Sequence, residues 1–271
     1  MKLGYLGPIG SFSYEAARAY SDNMELVPLL SFYEIIQGVE EGVIEAGILP
    51  IENSTEGAVT PVMDGLLKTK KAVIVDELVL SIAHNLVSLS SNLTEIESIF
   101  SHQQALEQCR DYFRKQLPQA RLIACASSSL ACAKAKELGR GTAAITNKEA
   151  GFSYGLNLLV ANIHDNSFNQ TRFVIISQQP AATCFPCKTS IAFAFLNDRP
   201  GSLYKVLKVF ADGNINLTRI ESRPAKAEIG KYIFYVDFIE DSHKGSAKEI
   251  LEQINSITGF LKIFGTYPTK E

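Results

Sequence analysis

The sequence has no apolar run long enough to span a bilayer. Its longest apolar stretches, Val73–Val75 and Leu78–Ile82 among them, are broken by Asp76, Glu77 and His84, and none nears the roughly 20 residues a membrane helix requires. Nor does Met1–Gly7 offer the apolar core and small-residue cleavage site of a secretion signal. A cytoplasmic location with no membrane partner is therefore expected. An excess of one charge is also missing: 26 Lys and Arg stand against 29 Asp and Glu, a net charge of −3. That balance removes the electrostatic footprint of a nucleic-acid or anionic-membrane binder. Cysteine is sparse and odd in number, five in all, which excludes a disulfide framework. Cys184 and Cys187 form a Cys-x-x-Cys, but with no second pair and in linker-like surroundings, so incidental thiols are expected there. The four histidines, His84, His102, His164 and His243, are scattered without ligand spacing. No metal and no cofactor are expected.

What remains is the composition of an ordinary globular chain, 46% hydrophobic and 20% charged over 271 residues, long enough for two domains. Residues 178–188 carry two prolines and no sustained period, and read as a linker between domains at 1–177 and 189–271. Before it, Leu3–Leu6, Leu26–Leu30, Ala46–Ile51, Ala72–Val75, Ile99–Phe100, Arg121–Ala126, Ala143–Thr146 and Arg172–Ser177 predict strands. Amphipathic segments between them predict helices, including Tyr14–Tyr20 and Ala105–Phe113. Ser31 with Glu34 and Thr94 with Glu97 have capping-box spacing, and Ser127–Ser129 precedes the helical run Leu130–Leu138.

Such alternation implies an α/β architecture with largely parallel sheets, whose ligands bind beyond the carboxyl ends of the strands. Four loops there are rich in polar groups: Gly7–Ser13, Pro50–Gly57, Ser101–Gln104 and Asn169–Phe173. Taken singly, each is a set of helix caps. Together they place donors on one anion-friendly face, though periodicity alone leaves the function open.

Read as motifs, these loops resemble the prephenate dehydratases of bacteria. Gly-Pro-x-Gly-Ser-Phe-Ser, Pro-Ile-Glu-Asn-Ser-x-x-Gly, Ser-His-x-Gln-Ala-Leu and Asn-x-Thr-Arg-Phe occur in the family's order and approximate spacing across the first 177 residues. Ser11 stands where the family more often has threonine. The resemblance implies a bilobal fold like the type II periplasmic binding proteins, with the site in the cleft. One lobe would hold residues 1–75 and 160–177, the other 76–159. It also implies conversion of prephenate to phenylpyruvate, carbon dioxide and water, a lyase reaction that needs anchors for two carboxylates and help for a departing hydroxyl.

On that resemblance Thr171 lies at the reacting centre, where its hydroxyl donates to the leaving oxygen or orients another donor or a water. Arg172 is the expected carboxylate anchor, since guanidinium pairs bidentately with carboxylate. Ser11, Ser13, Asn53, Ser54, Thr55 and Gln104 are expected to supply neutral donors, with Phe173 beside the substrate. Glu52 is either a structural cap or the proton source. His102 reads as a helix-start residue.

After the linker, Thr189–Leu196, Gly201–Asp212, Ile215–Ser222, Tyr232–Glu240, Ala247–Ile257 and Phe260–Tyr267 predict βαββαβ, the ferredoxin-like α+β arrangement. Asp198–Leu203, Asn214–Thr218 and Glu221–Pro224 resemble the ACT domains of phenylalanine-regulated enzymes, with Ser202-Leu203-Tyr204 where Ala-Leu-Val is commoner. The resemblance implies L-phenylalanine as an allosteric inhibitor, held between two subunits of a homodimer or homotetramer. Gly201, Ser202, Leu203, Asn216 and Leu217 would line its site, and Glu221, Ser222, Arg223 and Pro224 would shape it. Two rival readings share the loops: a non-catalytic anion receptor of the same bilobal fold, and a dehydratase acting on arogenate.

Overall fold

The computed structural model describes residues 1–166, 168–181, 186–225, 231–242 and 245–269. His243 and Cys184 lie outside them. The chain begins with β1 (Lys2–Leu6), α1 (Phe12–Tyr20), β2 (Glu25–Leu29), α2 (Phe32–Glu40), β3 (Ala46–Asn53), β4 (Gly57–Ala58), α3 (Thr60–Leu66) and β5 (Val73–Ser81). It then crosses to a second sheet through β6 (Asn85–Ser88), β7 (Ser98–His102), α4 (Gln103–Gln108), α5 (Arg110–Gln116), β8 (Arg121–Cys125), α6 (Ser128–Leu138), β9 (Thr142–Thr146), α7 (Lys148–Ser153) and β10 (Asn157–Val160). It returns as β11 (Gln170–Ser177), which inserts between β3 and β5, antiparallel to both. The first sheet therefore runs β2-β1-β3-β11-β5 with β4 at β3, and the second β10-β6-β9-β7-β8.

The result is a pair of α/β lobes joined by two crossings, the architecture the motifs implied. Both sheets are mixed rather than largely parallel, because β11, β6 and β10 run against their neighbours. β5 lies wholly in the first sheet, so the first crossing comes at 82–84 rather than after residue 75. Local signals set most helix starts. The Oγ atoms of Ser11, Ser31 and Ser127 accept from the backbone N–H three residues on, in α1, α2 and α6. At Thr94 the expected cap is displaced: Asn92 caps a short 3₁₀ turn over Leu93–Glu95. The single helix expected over Ala105–Phe113 is broken at Cys109, whose backbone leaves the helical region between α4 and α5.

The carboxy-terminal unit comprises β12 (Cys187–Ala194), α8 (Ser202–Asp212), β13 (Leu217–Pro224), β14 (Tyr232–Ile239), α9 (Gly245–Ile257) and β15 (Phe260–Pro268), with sheet order β13-β14-β12-β15, all antiparallel. One face buries Phe193, Phe210, Phe238 and Ile254 against α8 and α9. The other face packs on the first lobe. Ala192, Tyr235, Phe264 and Tyr267 share one apolar cluster with Ile36, Met63, Leu66 and Val174. The backbones of β15 and β5 touch at Gly265, where a Cβ would meet the Ile74 carbonyl at 2.1 Å. Cys187 is disulfide-bonded, which corrects the expectation of an incidental thiol there.

Candidate active site

A cleft of about 420 Å³ separates the two lobes. The first turns of α1 and α6 enter it from opposite lobes with Phe12, Ser13, Ser127 and Ser128, and Gln104 joins them from α4. First-turn N–H groups have no acceptor within their own helix. Two helices of 9 and 11 residues thus aim free donors and positive dipole ends into one space. Among the described residues, those lining this cleft include no lysine or arginine.

Adjacent strands β3 and β11 form one wall. Residue alternation sends Asn53, Thr171 and Phe173 into the cleft and their neighbours Glu52 and Arg172 out of the other face. The hydrogen positions on the cleft side follow from two backbone groups. Asn53 Oδ1 accepts from the N–H of Thr55 and of Glu56, at 2.9 and 3.1 Å, so its Nδ2 must donate. It donates to Asn169 Oδ1 and to Thr171 Oγ1, both at 2.9 Å. Asn169 Nδ2 then donates to Gln108 Oε1 at 3.1 Å. With that oxygen an acceptor, His84 Nε2, 2.6 Å away, must carry the hydrogen. Thr171 consequently receives a hydrogen bond while its own O–H remains available to a ligand.

His84 is buried and its Nδ1 has no partner. Burial, above all, lowers its pKa, with the nearby His164 adding to the effect and the Gln108 bond opposing it. The ring is therefore a neutral, fixed donor. Glu56 also lines the cleft. It is an exposed residue at the cleft's rim, and partial desolvation there raises its carboxyl pKa although His102 pulls the other way.

The structure thus brings Ser13, Asn53, Gln104, Thr171 and Phe173 to one cleft. Thr55 sits beside it in a neighbouring depression with Glu56 and Gln108. Four expectations need correction. Ser11 Oγ donates to the Leu6 carbonyl at 3.0 Å and accepts from Tyr14 N–H at 3.2 Å, so it is a cap with no donor left. Ser54 Oγ is likewise engaged, donating to the Phe168 carbonyl and accepting from Gln170 N–H. Glu52 faces away from the cleft, 3.4 Å from Arg219 Nε and 3.7 Å from Arg172 Nη1. Arg172 cannot serve as the carboxylate anchor, because its guanidinium is enclosed by Glu77, Asp237 and Tyr267.

Residues missed from sequence are His84, Gln108, Asn169, Glu56, Ser127 and Ser128. Asn169 and Glu56 lay within the motifs already singled out. Gln108 and His84 had no local signal at all.

The expected effector residues are divided along the sensor unit. Gly201, at φ +86, starts α8, with Ser202 Oγ accepting from Arg199 N–H at 3.0 Å. Asn216 and Leu217 follow the far end of that 11-residue helix, ~16 Å away at helical rise. Glu221 and Arg223 alternate with Ser222 and Pro224 along β13. Arg223 reaches back to the Thr60 carbonyl and Asp64 of α3.

Residues 3–181 match the family model described as prephenate dehydratase, and residues 190–257 match that of the ACT domain. A prephenate dehydratase of Methanocaldococcus jannaschii is 38% identical over 273 residues, covering 97% of each chain. The solved structure of a prephenate dehydratase in complex with L-Phe, from Arthrobacter aurescens, superposes with a TM-score of 0.90 at 28% identity, covering 99% of this chain and 90% of that one. A further solved structure, described as a novel type of quorum-quenching acylase, gives a TM-score of 0.88 at 26% identity, covering 100% of this chain and 98% of that one.

Proposed function

The chain belongs to the prephenate dehydratase family, and we propose that its interlobe cleft converts prephenate to phenylpyruvate, carbon dioxide and water under feedback inhibition by L-phenylalanine. The observation that carries this reading is the Thr171 hydroxyl, which accepts from Asn53 and keeps its hydrogen for a departing oxygen. As the bond from the ring to its carboxylate breaks, its electron pair enters the ring and expels the C4 oxygen. That oxygen leaves as water once it gains one proton. Thr171 stabilises the negative charge growing on it. Glu56 lines the same cleft and partial desolvation raises its carboxyl pKa, so it takes the acid role that Glu52, facing the other side of the sheet, does not.

The two substrate carboxylates would lie against the first-turn N–H groups of α1 and α6, with Ser13 and Gln104 as further donors. Helix termini replace the arginine anchor expected from sequence. An acyl-transfer reading, suggested by the acylase relative, would need a nucleophile hydrogen-bonded to a base. Here the His84 imidazole bonds an amide instead, which favours the dehydratase.

Phenylalanine binding by the sensor unit supports assembly. Gly201–Leu203 and Asn216–Leu217 are a helix length apart in one chain, so a shared site would require two chains side by side, as a homodimer or homotetramer. β13 is an open sheet edge with Ile220 exposed and suits such pairing. A cytoplasmic location belongs to the same reading; among the described residues no helix is long and apolar enough to cross a membrane.

The test is purified protein incubated with prephenate, following phenylpyruvate with and without phenylalanine, and with arogenate in parallel. Turnover of prephenate, suppressed by phenylalanine, is expected. Turnover of arogenate alone would reassign the substrate, and ligand binding without turnover would make the chain a receptor.

A further inference from the structure

Arg172 follows Thr171 directly in β11, and its guanidinium leaves the sheet on the side of the sensor unit. Nη1 lies 2.6 Å from Asp237 Oδ2 on β14, and Nη2 lies 2.8 Å from the Tyr267 hydroxyl on β15. Ser190 of β12 meets that hydroxyl at 2.6 Å. Glu77 of β5 closes the remaining side, 2.7 Å from Nε, and its second oxygen is 2.5 Å from Lys188 Nζ. Glu52 of β3 adds a third carboxylate, 3.7 Å from Nη1 and 3.4 Å from Arg219 Nε of β13. Three cations thus face three carboxylates, with side-chain exposures of only 12% for Arg172, 1% for Glu77 and 4% for Asp237. All four strands of the sensor sheet contribute a group to this cluster.

Adhesion between the units does not require it. The shared apolar cluster already joins them, and a buried ion pair commonly contributes little net stability compared with apolar packing. What the cluster does provide is geometry. Each guanidinium edge is held in a fixed orientation by a partner on a different strand. On its β3 side the ladder of β11 shifts register between Arg172 and Phe173, whereas its pairing with β5 runs unbroken from Gln170 to Ile175, so the strand is held by a continuous ladder on one side only. A rotation of the sensor sheet would move Asp237 and Tyr267 together. It would draw on the backbone one residue from the reacting hydroxyl.

We propose that Asp237 and Tyr267 are positioning residues for the reaction: they hold Arg172, and through it Thr171, in the reactive pose, and effector binding to the sensor lowers turnover by shifting this cluster. The proposal rests on the dehydratase reading of the cleft. It makes the sensor sheet part of the catalytic architecture and gives the coupling between the two sites a physical carrier.

The test uses the full chain with Asp237→Asn, which keeps shape and removes charge, and Tyr267→Phe, which removes one hydroxyl. Turnover, inhibition by phenylalanine and unfolding in urea are measured for each. Asp237→Asn is expected to lower kcat about tenfold, toward the ~100-fold that a misplacement of ~1 Å costs. KM should stay within about twofold, since substrate binding is untouched, and saturating phenylalanine should inhibit less completely. Tyr267→Phe should move the same quantities less. Amide hydrogen exchange across residues 170–173, which needs no turnover, should quicken in Asp237→Asn. A folded variant with wild-type kcat and inhibition, or with unchanged exchange, overturns the proposal. If Asp237→Asn does not fold, the milder Tyr267→Phe decides by the same measurements. Wild type run alongside keeps the two readings apart: its failure to turn over prephenate rejects the dehydratase, whereas normal behaviour of the variants rejects the positioning role.

Discussion

On the cleft face of the first sheet, β3 and β11 present Asn53, Thr171 and Phe173; on the opposite face the same strands present Glu52 and Arg172. The cleft side is held by neutral amides, a hydroxyl and an imidazole, in hydrogen bonds that run from Asn53 through Asn169 and from His84 to converge on Gln108 Oε1. The sensor side is held by charges, paired and out of water. The difference shows how one sheet can serve two purposes. A site for a dianion gains from donors that carry no counter-ion of their own to be displaced. A joint between domains gains from groups whose geometry is costly to alter. Burial alone would lower the pKa of Arg172, but Asp237, Tyr267 and Glu77 together raise it above its ordinary value. Burial likewise works to raise that of Asp237, and Arg172 with Arg219 reverses the effect.

The largest effect that separates the faces should come from Glu77→Ala. It leaves Arg172 and Lys188 short of a buried partner, and such a break costs about 3–5 kcal/mol, to be read from urea unfolding. Thr171→Ala should leave stability near wild type and lower kcat about 10²–10³-fold, the usual loss for one well-placed donor. Thr171→Ser, which keeps the hydroxyl, should be mild. Equal kcat for wild type and Thr171→Ala would remove Thr171 from the reacting centre.

Acid should distinguish the faces as well. The folded pKa of Asp237 is held below its unfolded value, so the unfolded chain binds the extra proton. Its contribution to stability is complete above the ordinary carboxylate range, about pH 4, and is lost as pH falls through the depressed folded value. Stability measured from pH 5 downward should therefore fall more steeply in wild type than in Asp237→Asn. The smallest effect belongs to Ser11→Ala: about 1 kcal/mol of stability from the lost cap, with KM for prephenate unchanged. A large rise in KM would return Ser11 to the substrate.

Much of this was legible in the chain. The sensor's six elements follow from the spacing of Leu203, Val206 and Phe210 and of Ile250, Leu251 and Ile254, because periodicity reports directly on which face is buried. Ser31 and Ser127 announced their helices through contacts only three residues long. At Thr94 that logic failed, since Asn92 competed for the same local role. Four ordered motifs marked a candidate site, and of their residues Ser13, Asn53, Gln104, Thr171 and Phe173 line one cleft.

Period-two alternation guaranteed that Thr171 and Arg172 would face opposite ways, and likewise Asn53 and Glu52. Which side would be the cleft was a question of what packs against each face, and that is a long-range matter. Arg172 finds Glu77 and Asp237 at sequence separations of 95 and 65 residues, and Gln108 meets Asn169 across 61. Local sequence therefore determined the elements, their caps and the motifs that mark the cleft. Only the tertiary structure decided that the arginine of Thr-Arg-Phe belongs to the joint with the sensor, because a charge is assigned its role by the partners that surround it after folding.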